Sequence, residues 1–248
     1  HLFLDRCRAE NGVKHPEIRV GANENHFVVD PCTDIQADPQ WYGKDIVDMV
    51  QDYELPQEIG CHTFSHVVTD EGCDQDMFVS ELKECQKLAA NRGLSLQSFV
   101  FPKNHVAYLD QLKNNGFICY RGPDENWYKF YKGKLAKVAH LLDNYLVLTS
   151  PAVVPTKRCG LWEIPGSYFY VHRNGWAKFL PVWFRVWKAK SGIRKAVAQK
   201  KIFHLWFHPF NIASDPEALL AGLDKILAYV VENCKDNLME NMTMGQAA

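Results

Sequence analysis

The sequence predicts an α/β fold in which a parallel sheet, covered by helices, closes into a distorted (β/α) barrel. Two observations carry this. Segments of helical period alternate with short apolar runs bounded by Gly or Pro. That is the pattern of strand–helix units whose strands are buried on both faces. The chain also has 248 residues, 47% of them hydrophobic, which suits one large core of the barrel kind. No internal repeat or low-complexity linker divides it.

Taken in order, HLFLDRCRAENG (1–12) reads as the last turns of a helix, stopped by Asn11-Gly12. That helix lacks a start signal, so the chain is expected to be part of something longer. WYGKDIVDMVQDY (41–53) gathers Trp41, Ile46, Met49, Val50 and Tyr53 on one side of a helix. QEIG (57–60) is a short strand. DQDMFVSELKECQKLAANRG (74–93) places Phe78, Leu82, Cys85 and Ala89 on one helical stripe, and Gly93 ends it. LQSFVF (96–101) is a strand ended by Pro102, 106–116 a helix ending at Gly116, and FICYR (117–121) a strand. A helix is expected near 127–140, an apolar run at 145–150, and a strand at LWEI (161–164). KIFHLWFHPFN (201–211) opens as an apolar strand and ends at Pro209; along it His204, Trp206 and His208 face one way and Phe203, Leu205 and Phe207 the other. The last helix starts with a Ser214–Glu217 capping box and turns Leu219, Leu223, Ile226 and Val230 inward. Residues 1–234 make up the barrel and 235–248 a frayed tail.

Charge and cysteine content narrow the function classes. The net charge of -1 gives no global field for nucleic acid. No apolar run approaches the ~18 residues of a membrane span. Eight cysteines are present without a Cys-x-x-Cys pair, so free, buried thiols in a reducing compartment are expected, and with them a cytoplasmic rather than secreted protein. From Ile164 to Ser214 there is no Asp or Glu, while nine Lys and Arg interleave with aromatics that include Trp183, Phe184 and Trp187. A basic amphipathic stretch of this kind can lie on a membrane surface or bind an anionic glycan or nucleic acid. The favoured expectation is a barrel helix with aromatics on the core and lysines in water, kept from merging with the segment before it by Pro181. Neither a membrane nor nucleic acid is expected as a partner.

EIGCHTFSH (58–66) sets His62 and His66 four residues apart. On one helical turn that spacing puts both imidazoles on the same face, as metal ligands need. The other reading is a pair of histidines at a helix start that bind backbone. Thr63 stands where a zinc protease would have Glu. The hydroxyls of Thr63 and Ser65 are placed to cap the turn or orient the rings. His208 falls at the C-terminal rim of its strand, where barrel sites are built, and His204 lies deeper as a satisfied core histidine.

EIGCHTFSH, FVFPKN (99–104), LWEIP (161–165) and HLWFHPFN (204–211), in this order, resemble the motif ladder of the polysaccharide deacetylase family. The resemblance covers about residues 1 to 234 and implies a NodB homology domain, a distorted (β/α) barrel lacking its first strands here. It implies a metal-dependent hydrolase of carbon–nitrogen bonds other than peptide bonds, removing N- or O-acetyl groups from a sugar or glycan. His62 and His66 would be ligands of a divalent ion, zinc by family habit. Metal-activated water would attack the acetyl carbonyl, and His208 would be the general acid. Three departures qualify it. The family's paired aspartates, the third ligand and the general base, are missing; they are expected upstream of His1, which would leave this chain inactive as it stands, and Asp30 and Asp34 come too late in the order to replace them. The family's Arg before Pro102 is replaced by Val100-Phe101, with Lys103 after it as a substitute positive charge. Trp162 and Glu163 occupy the fourth motif, where Trp162 would wall the sugar pocket. The alternative is a non-catalytic glycan-binding barrel that has lost the aspartates.

Overall fold

The computed structural model describes Leu4 and residues 31–70, 72–124 and 152–248. The helices expected in 1–12 and near 127–140, the run 145–150, Cys7 and Asp30 lie outside these residues. The described elements are α1 (Lys44–Gln51), α2 (Gln75–Ala90), β1 (Ser98–Val100), α3 (Leu109–Asn114), β2 (Cys119–Gly122), β3 (Ala152–Val153), β4 (Thr156–Arg158) and β5 (Leu161–Pro165). They continue with β6 (Tyr168–Phe169), α4 (Val182–Gln199), β7 (Ile202–Phe203), β8 (Leu205–Trp206), α5 (Pro209–Ile212) and α6 (Pro216–Lys235). The chain is thus mixed α/β. It divides into two compact units, one of residues 1–121, 157–163 and 243–248, the other of 122–156 and 164–242.

The first unit carries a four-stranded sheet in the order β1-β2-β5-β4. β1 and β2 run parallel, with Phe99 opposite Tyr120. The strand expected at 57–60 is reduced to a single parallel bridge between Cys61 and Phe99. The Cys61 N–H donates to Ser98 O and Val100 N–H donates back to Cys61 O, at 2.9 and 2.8 Å. Gly60 permits this approach, because a Cβ there would meet Ser98 Oγ at 2.7 Å. Helix α2 forms as its sequence predicts. Asp74 Oδ1 accepts the Met77 N–H at its start, Gly93 follows its end with φ +68°, and Phe78, Leu82, Cys85 and Ala89 enter the core. There Phe78, Phe99, Phe101 and Phe117 form an edge-to-face aromatic cluster closed by Leu112, Tyr120 and Leu161. Helix α1 turns its apolar side outward, with Ile46 63% and Met49 72% exposed. Its polar side is what is held, through Gln51 Oε1 and Asp48, which accept from the Arg92 guanidinium.

In the second unit the strand expected over 202–208 splits at His204. β7 pairs antiparallel with β3, and β8 pairs parallel with β6, so the expected all-parallel arrangement gives way to a mixed one. The switch has a local cause. His204 N–H donates to Ser167 Oγ and His204 O accepts from Ser167 and Tyr168 N–H, which binds the residue between the two strands to one loop. Among the described residues no closed barrel forms. Helix α6 begins not at a Ser214–Glu217 box but at Asp215, whose carboxylate accepts the Ala218 N–H at 3.3 Å. Ser214 Oγ instead donates to Asn211 O and accepts from Arg173 N–H. Leu219 and Ile226 are buried beside Tyr168, Tyr170, Val186 and Ile193, with Leu223 and Val230 packed against them. A Cβ on Gly222 would strike Tyr170 and Val182, so this glycine sets how closely α6 approaches α4.

Helix α4 reverses the expectation for the basic aromatic segment. Trp183 and Trp187 are 69% and 46% exposed, while Arg185 and Lys188 are buried with Ala189, Ile193 and Ala196. No described helix is long and apolar enough to cross a membrane. The seven described cysteines are free thiols; Cys61, Cys73, Cys85 and Cys119 are buried as expected, Cys234 is half-buried, and Cys32 and Cys159 are exposed.

Candidate functional site

His62 and His66 come together, but not on a helix. They lie on an irregular loop that leaves the sheet after Cys61, with Thr63 and His66 in the left-handed region at φ 58° and 60°. Phe64, Val67 and Val68 of the same loop are buried, at 0–2% exposure, and this fixes the half-buried histidines at the edge of the core. The two rings meet edge to face, centroids 4.9 Å apart. His62 Nδ1 lies 2.7 Å from Val100 O at the end of β1. A carbonyl oxygen can only accept, so Nδ1 is the donor in this contact. Anchoring one ring nitrogen on a backbone carbonyl is how a metal-binding histidine has its ring oriented.

The loop is pinned by a residue without a motif. Glu81 of α2, 0% exposed, accepts the Phe64 N–H, the Ser65 N–H and the Ser65 hydroxyl, each at 2.7 Å. Burial raises the carboxyl above its ordinary pKa, and the bonds from Ser65 and Phe64 oppose that rise. So the Ser65 hydroxyl orients the loop by way of Glu81, and the Thr63 hydroxyl donates to His62 O at 2.7 Å. An apolar cleft of about 140 Å³ beside His62 is lined by Ile59, Cys61, Cys85, Leu88 and Leu96 among others.

The other sequence-predicted residues stand apart in role. Lys103 is exposed, with φ 52°, on a short 3-10 turn that follows Val100-Phe101. Trp162 is half-buried in β5, its N–H donating to Ile118 O, with Lys157 Nζ 5.3 Å from the ring centroid. Asp34 accepts the N–H groups of Gln36 and Ala37 in a turn. His208 belongs to the second unit, half-buried just before α5. Its ring stacks on Phe210 at 4.7 Å, with Trp206 and Phe169 edge-on to it. Trp206 and His208 thus share a face, as strand alternation predicts. Asn211 Oδ1 accepts the His208 backbone N–H at 2.8 Å and lies 3.3 Å from Nδ1. Because that oxygen accepts, Nδ1 is the donor in this contact. His204 Nδ1 sits 3.1 Å from Pro165 O, a satisfied histidine.

Among the described residues, no group of three or more His, Cys, Asp or Glu side chains that could hold a metal ion is found. Glu81, Asn211 and Asp124, which accepts the Trp206 indole N–H at 3.1 Å, carry no spacing signal. Glu81 alone left a trace: it falls on the Phe78–Leu82–Cys85 stripe, and an acid on a core stripe asks for donors. No family model, curated protein or solved structure matches the chain.

Proposed function

We propose that this protein is a metal-dependent hydrolase of carbon–nitrogen bonds that removes an N- or O-acetyl group from a carbohydrate, on a distorted barrel of the NodB type. The observation that carries the reading is the His62–His66 pair: two imidazoles 4.9 Å apart, the first anchored at Nδ1 by Val100 O. The paired imidazoles suit a divalent ion, zinc by preference, and His62 and His66 would be two of its ligands, with the third not found among the described residues. Such an ion, when bound, supplies Lewis acidity toward an acyl carbonyl and a source of acidified water. The residues of the chain supply the rest. The apolar cleft beside His62 suits a small acyl methyl. By the resemblance, His208 would be the general acid that delivers a proton to the departing amine or alcohol, and Asn211 Oδ1 beside its Nδ1 orients the ring. Lys103 and Trp162 are assigned to orient the sugar.

Titration calorimetry of the intact chain with zinc tests this. A weak site is expected, since two imidazoles lack a third ligand, and it should be lost in His62→Ala and His66→Ala. Acetate release from acetylated oligosaccharides is expected only once the two missing aspartates are supplied, and there should fall about 100-fold or more in His208→Ala. Absence of zinc binding sinks the metal reading. Binding of acetylated oligosaccharides without zinc and without acetate release replaces it with a non-catalytic glycan-binding protein.

A further inference from the structure

The outward side of α4 and the turn before it hold large aromatics where a folded chain ordinarily hides them. Phe179 is 62%, Trp183 69% and Trp187 46% exposed. Phe184 joins them, its ring 5.9 Å from Trp183 and 5.5 Å from Trp187. At about 100° per residue, Trp183, Trp187 and Arg194 lie within about 40° of one another around the helix. The outward face is therefore aromatic at its start and carries Arg194 toward its end, and Lys200 and Lys201, just past the helix, are exposed as well. Lys178 brings its ammonium to 5.0 Å from the Phe179 ring. No acidic residue occurs between Ile164 and Ser214.

The arrangement is built. Arg185, 0% exposed, donates to the carbonyls of Val171, His172, Ala177 and Leu180. One buried guanidinium thereby clamps the loop and 3-10 turn that carry Phe179 onto the start of α4. The inward face, Val186, Ala189, Ile193 and Ala196, is buried. The aromatics are thus held outward by a helix whose other side is fixed.

We propose that this face is a docking surface for an anionic lipid membrane, on which α4 lies in the plane of the interface. Exposed indoles and phenyl rings seat at the boundary between headgroups and acyl chains, and the arginine and lysines meet lipid phosphates. Two other partners fit less well. Sugar recognition pairs stacking with carboxylate or amide hydrogen-bonding groups, and α4 has no Asp, Glu or Asn, with its single Gln at the last position. Single-stranded nucleic acid is followed along a groove with aromatic platforms, whereas this face is the convex side of one helix. The proposal takes up the membrane-surface reading of this segment's sequence over the favoured one, which placed the aromatics in the core. It does not depend on the hydrolase reading.

Sedimentation of the intact chain with vesicles of phosphatidylcholine, with and without phosphatidylserine, tests it. Binding to the phosphatidylserine vesicles is expected, weakening about tenfold or more as salt is raised to about 0.5 M. Brominated acyl chains are expected to quench tryptophan fluorescence of the unmodified protein. Trp183→Ala with Trp187→Ala should lower partitioning about tenfold or more and remove most of that quenching. Arg194→Glu should lower the preference for phosphatidylserine. Both variants alter exposed side chains, and an unchanged circular dichroism spectrum checks that they fold. Failure to bind anionic vesicles overturns the proposal, as does binding that survives the tryptophan substitutions. Aromatic-dependent binding to single-stranded RNA or to a soluble glycan, without vesicle binding, overturns it in favour of that ligand.

Discussion

The two units solve one problem with opposite charges. In the first, Glu81 on α2 is buried and accepts two backbone N–H groups and a hydroxyl from the loop at 63–66. In the second, Arg185 on α4 is buried and donates to four backbone carbonyls between 171 and 180. Each charge sits on a helix, is shielded from water, and has backbone dipoles among its partners. A buried ion must recover its lost hydration, and charge-assisted bonds to backbone do so while fixing the loop's path. In this chain, then, buried charge orders loops. One loop holds the histidine pair, and the other carries Phe179 beside the exposed tryptophans of α4. The difference lies in reach: the guanidinium gathers a ten-residue span through three nitrogens, and the carboxylate binds two adjacent residues.

Removing each clamp sharpens the comparison, and the largest effect is expected at Arg185. Arg185→Met leaves four carbonyls without these donors and should cost about 3–5 kcal/mol in urea unfolding. Arg185→Lys should recover less than half, because an ammonium cannot span the same acceptors. A loss under about 1 kcal/mol in Arg185→Met would show that the loop is held by packing instead.

Glu81→Ala should cost about 2–3 kcal/mol and weaken zinc binding about 10- to 100-fold, as loss of a group supporting metal ligands does. Glu81→Gln keeps one acceptor but turns an amide NH2 toward donors, so it should resemble Glu81→Ala more than the parent. Equal zinc affinity in all three would separate Glu81 from the histidine loop and leave it a structural residue.

The smallest effect concerns the thiols of the first unit. Burial pushes Cys73 and Cys119 up to about 12. The native state therefore keeps protons that the unfolded chain releases above about pH 9, so stability falls as pH rises through that interval and is unaffected by these groups below it. The slope should reach up to about 1.4 kcal/mol per pH unit for each thiol. At neutral pH, Cys32 and Cys159 should alkylate first and Cys73 and Cys119 only on unfolding, as peptide mapping would read.

Much of the fold was legible because local rules govern it. The stripe of α2 and its stop at Gly93, the parallel run of β1 and β2, the start of α4 after Pro181, and the shared face of Trp206 and His208 all follow from periodicity and from Gly and Pro chemistry. The His62–His66 pairing was also legible, though for the wrong reason. Helical spacing suggested it, while an irregular loop with two left-handed residues delivers it. By itself the sequence determined the α/β class, the helical stripes and the residues able to carry chemistry, since these depend on neighbours a few positions away. Tertiary structure alone decided that the strand at 202–208 changes partner at His204, that Asp215 rather than Ser214 caps α6, that Glu81 and Arg185 are interior, and that Trp183 and Trp187 face water. Each of those depends on which distant backbone groups arrive beside the residue. A one-dimensional pattern of polar and apolar positions cannot tell a cation in water from one that four carbonyls have replaced water around.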